Sequence, residues 1–149
     1  MKGINRVLTF VLIISLALLV YKNSKKEVNT VKTEPAKVES IEGSNLMRVT
    51  LTDLAAKRLG ITTDTARLTK LTQGGSAQLV VPYSSLIYGL NGETWVYTNP
   101  EPLTFVRHRI EVDYIEEDLA VLIEGPEVGT KIVTVGVAEL YGVETGIGK

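Results

Sequence analysis

From Val106 the chain alternates without a break through Tyr114. Val106, His108, Ile110, Val112 and Tyr114 fall on one side, and Arg107, Arg109, Glu111 and Asp113 on the other. Period two is the mark of a strand with one packed face and one wet face. The runs around it, "AQLVVP", "ETWVYT", "LAVLIE" and "KIVTVG", are also short and apolar or β-branched, and are bounded by "TQGGS", "EED" and "GPEVG". Asn91-Gly92 is a hairpin signal, because both residues tolerate positive φ. In "NPEP" neither proline can donate to a ladder, so the strand ahead of it is expected to stop there. Upstream, "MRVTL" from Met47 and "ITTDTARL" read as strands. Between them Thr52 can cap a helix of about two turns, with Leu54, Ala55 and Leu59 as its apolar side, Lys57 and Arg58 at its end and Gly60 as its stop. "VAELYG" predicts one last helical turn. Residues 47–149 are therefore expected to form a mainly β domain, a small antiparallel barrel or sandwich-like fold with one or two short helices.

The chain ahead of this body has a different character. Residues 1–22 hold a basic start and an apolar run, Val7 to Tyr21, which Lys22, Lys25 and Lys26 close. As a helix the run would measure about 22 Å, short of the ~30 Å hydrocarbon core but extensible by snorkelling of Arg6 and Lys22. It predicts a single transmembrane anchor. A cleaved signal peptide is the alternative, although a cut after Ser24 would place Lys22 where a small residue belongs. Lysines are no sparser after the run than before it, so charge alone does not place the body outside. Residues 23–46 are polar and without period, which predicts a flexible linker.

Charge and composition narrow the function classes. The first 26 residues carry +5 with no acid, and the remainder carries 11 basic against 17 acidic residues, or −6. Such a body lacks the basic face that a phosphate backbone requires, so nucleic acid is not an expected partner. There is no cysteine, which removes disulfides, thiolate metal sites and thiol nucleophiles. His108 is the one histidine; alone it does not make a zinc site, and no G-x-S-x-G elbow accompanies it. It is expected to be a partly buried, hydrogen-bonded structural residue. Glu116, Glu117 and Asp118 lack calcium-loop spacing, and "GVETGIGK" is not a phosphate loop. No catalytic residue, cofactor or metal is expected. Trp95 and Tyr97 share a strand face, and Tyr88 lies across the Asn91-Gly92 turn, which predicts a cross-strand aromatic contact. Tyr88, Trp95, Tyr97, Arg107 and Arg109 are the candidate interaction surface.

The residues from Met47 to Gly142 resemble the C-terminal, membrane-proximal β region of periplasmic adaptor subunits, or membrane fusion proteins, of resistance–nodulation–division efflux pumps. The resemblance lies in Val81-Pro82, Gly92 to Tyr97, Phe105 to Arg107, Gly125 to Gly136 and Ala138 to Leu140, with "VTLTDLAAKRLGITT" as the entry. It implies a module held at the inner membrane by one pass, with its body on the extracytoplasmic side, in contact with a transporter and open to self-association. The helical hairpin and lipoyl-like halves of full adaptors have no counterpart here, which puts a bridging role in doubt. Two other classes stay open on the residues alone: a ligand-binding β module, for example for cell-wall glycan, using the Trp95 region, and a small hydrolase built on His108.

Overall fold

The computed structural model describes residues 34–73 and 75–146. The anchor expected at residues 1–22 lies outside them, and among the described residues no helix is long and apolar enough to cross a membrane. The body is a half-barrel of antiparallel strands with two short helices. Its strands are β1 (Ala36–Ser40), β2 (Met47–Leu51), β3 (Thr62–Thr65), β4 (Arg67–Lys70), β5 (Ala77–Pro82), β6 (Ile87–Tyr88), β7 (Thr94–Glu101), β8 (Thr104–Glu116), β9 (Leu119–Glu124) and β10 (Lys131–Val135). The helices are α1 (Asp53–Leu59) and α2 (Val137–Thr145). The main path runs β3-β10-β7-β8-β9-β5-β4; β2 joins β1 to β8, and β6 joins β7.

The long strand β8 holds this together. One edge pairs with β7 from Thr104 to Ile110. The other pairs first with β2, through Thr50↔Thr104 and Arg48↔Val106, and then with β9 from Glu111 to Glu116. Irregularities at Glu111–Tyr114 mark the change, and extra residues of this kind bend a strand and raise its twist. The central strands therefore have two buried faces. Val49, Leu51, Tyr97, Phe105, Val133 and Leu140 fill one, under α1 and α2. Val81, Val96, Ile110, Ala120, Leu122 and Ile132 fill the other, within the curl of the sheet.

Several expectations hold and several need correction. Helix α1 has its Thr52 cap, with Thr52 Oγ1 accepting from the Ala55 N–H at 3.2 Å, and its left-handed Gly60 stop. Its buried side is Ala55, while Leu54 is exposed. Residues 36–46 are not linker: Ala36–Ser40 pairs with Met47–Leu51 in a full ladder, and Val38 and Ala36 pack on the core. Only two apolar side chains hold β1 down, too few for a period to show. "ITTDTARL" is two strands with different neighbours, hinged at buried Ala66. β7 runs on through Pro100 to Glu101, and α2 continues past "VAELYG" to Thr145.

The β6–β7 hairpin departs most instructively. Gly89 N–H donates to Glu93 O at 2.7 Å and Gly92 N–H to Gly89 O at 3.2 Å, so the loop is Leu90-Asn91-Gly92, three residues long. Only Gly92 takes a positive φ, +86°. This is the turn that ends in a left-handed glycine, not the two-residue kind. The register becomes Ile87↔Trp95 and Tyr88↔Thr94. A shift of one residue reverses the faces, so Tyr88 points away from Trp95 and the expected aromatic contact is not made.

Candidate functional site

The most strongly organised polar group in the body lies between α2 and the sheet. Leu140 and Glu144 sit four residues apart on the buried side of α2. Leu140 enters the core, and Glu144 follows it, its side chain only 2% exposed. Tyr97 on β7 and Arg107 on β8 are direct cross-strand partners, and both reach this carboxylate. The Tyr97 hydroxyl donates to Glu144 Oε2. Arg107 donates to Oε1 from Nε at 2.9 Å and approaches it with Nη2 at 2.8 Å. The guanidinium is stacked 5.1 Å from the Trp95 ring centre and 5.7 Å from that of Tyr141. Burial, and then the hydrogen bond to Glu144, push the Tyr97 phenol far above its ordinary value, with Arg107 acting in the opposite direction. This arrangement fastens the C-terminal helix to β7 and β8.

Beside the first turn of α2 is an open groove of about 670 Å³. Ile87 and Tyr88 line one wall, and Val135, Val137, Glu139 and Tyr141 the other. It forms because β10 pairs with β7 at Ile132↔Thr98, while β6 takes the next stretch of β7 at Trp95. The two strands are not paired with each other, and the trough lies between them. Of its lining residues Tyr88 and Val135 are open to solvent. Tyr83, beside Tyr88, is also exposed, and Leu90 is 100% exposed at the tip of the β6–β7 hairpin. Partial desolvation, followed by the neighbouring Tyr83, raises the Tyr88 phenol. By register the groove lies at the Ile110 end of the β7–β8 ladder, whereas the first described residues lie at the Thr104 end. Six residues of β8 separate the two, roughly 20 Å.

The residues singled out from sequence are thus divided. Tyr97 has no exposed surface and belongs to the core, so it is removed from the interaction surface. Trp95 is half-buried with Arg107 over its ring, and Arg107 itself is only 19% exposed and committed to Glu144. Tyr88 and Arg109 remain open. His108 is exposed rather than partly buried, and no side-chain hydrogen bond among the described residues involves it. Period two fixes the side to which it points, not whether anything covers that side. Among the described residues no group of three or more acidic or histidine side chains is placed to hold a metal. The sequence reading missed Glu144, Tyr141, Tyr83, Leu90 and Val135. An acid four residues after Leu140 in a short apolar helix was the one available signal for Glu144.

No family model matches the chain, and no curated protein matches it. Among solved structures it is similar to an NMR structure of a 180-residue piece of SilB from Cupriavidus metallidurans CH34 that encompasses the N-terminal metal-binding site and the membrane proximal domain. The identity is 22% and the TM-score 0.45, over 55% of this chain and 44% of that one.

Proposed function

We propose that this chain is a non-catalytic, adaptor-like module, anchored by its N-terminal segment in the inner membrane with its body on the extracytoplasmic side, and that it acts by docking on a transporter. The observation that carries the reading is the groove beside α2, into which the exposed side chains Tyr88 and Val135 open, with exposed Tyr83 next to Tyr88 and exposed Leu90 at the tip of the same hairpin. Apolar side chains collected at one place, rather than scattered singly, mark a contact surface. It lies at the Ile110 end of the β7–β8 ladder, away from the Thr104 end where residue 36 enters, so a body tethered through its N-terminus can present it to a partner. The sequence resemblance from Met47 to Gly142 supplies the class of partner. The glycan-platform reading is weaker, because Arg107 occupies a face of Trp95 that a sugar would need.

The absence of native cysteine makes the test direct. A Leu90→Cys chain carrying a photo-reactive label is expressed in cells, and membranes are irradiated and solubilised in detergent. The expected result is an adduct in the membrane fraction with a transport component, identified by mass spectrometry. Recovery of the chain in the soluble fraction, with no such adduct, would end the reading.

A further inference from the structure

Asn91-Gly92 is the one Asn-Gly pair in the chain, and both residues are exposed at the β6–β7 tip. Glycine after asparagine is the pairing in which the backbone nitrogen is least shielded, since no Cβ stands beside it. The folded loop nevertheless ties down both groups that would have to meet. The Asn91 carboxamide donates from Nδ2 to Glu93 Oε1 at 3.3 Å, and the Asn91 N–H donates to Glu93 Oε2 at 3.3 Å. The Gly92 N–H is already given to Gly89 O at 3.2 Å. A hydrogen bond from its own N–H, and then the bond from the Asn91 side chain, hold the Glu93 carboxyl below its usual range, so it is an anion at neutral pH.

We propose that Asn91 is a latent deamidation site, guarded by Glu93 and released when the β6–β7 loop opens. In the open loop the Gly92 nitrogen attacks Asn91 Cγ. The new C–N bond closes a five-membered imide as the Cγ–Nδ2 bond breaks, and the Gly92 proton leaves with that nitrogen as ammonia. Water then opens the ring at either carbonyl, leaving aspartate or isoaspartate; nothing is oxidised or reduced. Isoaspartate adds a methylene to the backbone of the three-residue loop between Gly89 and Glu93. Either product adds a negative charge beside Glu93. The reaction would therefore disturb the loop that carries Leu90 and adjoins Tyr88, independently of what that surface binds.

The test is peptide mapping of the full-length chain by mass spectrometry during prolonged incubation at neutral pH. Wild type is followed folded and in guanidinium chloride, and Glu93→Ala is followed folded. We expect amide-to-acid conversion at Asn91 in denaturant, conversion severalfold slower in folded wild type, and a severalfold gain in folded Glu93→Ala. The thermal midpoint of that variant shows that it is folded. No conversion at Asn91 in denaturant, or equal rates folded and denatured, would overturn the proposal. A folded Glu93→Ala that reacts at the wild-type rate would overturn the guarding role. If that variant does not fold, the folded-against-denatured comparison in wild type decides.

Discussion

Tyr97 on β7 donates its hydroxyl to Glu144 on α2, across 47 residues of sequence, and Arg107 closes on the same carboxylate from β8. A buried acid paired in this way adds little net stability relative to a well-packed apolar side chain. Removing one partner is another matter, because the others are left desolvated and unpaired. The cluster decides where α2 sits, and α2 forms one wall of the groove.

Glu144→Ala should therefore destabilise the body by about 3 kcal/mol, within the range for breaking a buried pair. Glu144→Gln, which keeps an acceptor for Tyr97, should cost less. Urea midpoints for the two variants against wild type check the order, and equal losses would mean that the charge of Glu144, and not its role as an acceptor for Tyr97, carries the effect.

The raised Tyr97 phenol has a consequence at alkaline pH. Below the ordinary tyrosine value of about 10 the phenol is neutral in both states and its contribution is complete. As pH rises past that value the unfolded chain loses the proton and the folded one keeps it, so stability falls. Tyr97→Phe should lose about 1.5–3 kcal/mol at neutral pH, because the buried Glu144 carboxylate is left without its donor. It should also show a shallower fall above pH ~10. Urea midpoints measured across the alkaline range separate the two effects.

Gly136 joins β10 to α2 with φ at +83°, and a Cβ there would clash with Ile61 Cδ1 and stand 3.3 Å from Leu59 O. Gly136→Ala combines a left-handed backbone with a clash, and should cost about 1–3 kcal/mol. A thermal melt checks this, and a loss below that range would mean that the Ile61 side chain moves aside freely.

Leu90→Asp should leave the melting temperature almost unchanged, since surface substitutions of this kind fall within about 0.5 kcal/mol. Co-purification with the proposed transporter partner should fall sharply. A variant that binds as well as wild type would move the contact surface away from the hairpin tip.

Much of the β character was legible in local sequence. Turn residues and short β-branched runs located β2, β5, β8, β9 and β10, and the Thr52 and Gly60 signals bounded α1, because caps and alternation are decided by neighbours in the chain. The cover over each strand was not legible. His108 and Arg107 exchanged their expected surroundings because α2 lies over the Arg107 side, and no local rule says which face of a two-faced strand a distant helix will cover. Ala36–Ser40 looked like linker because a short edge strand held by two apolar side chains carries almost no period.

What the sequence by itself determined is the mainly β class, the ends of most elements and the acidic balance of the body. Those follow from dihedral preference, period and charge, which are properties of adjacent residues. Only the tertiary structure decided that the Asn91-Gly92 loop has three residues rather than two, which side Tyr88 faces, and that Tyr97, Arg107 and Glu144 meet. One residue of register reverses a strand's faces at almost no local cost, and a buried ion pair exists only when the fold brings separated segments together; neither is written in any single stretch of chain.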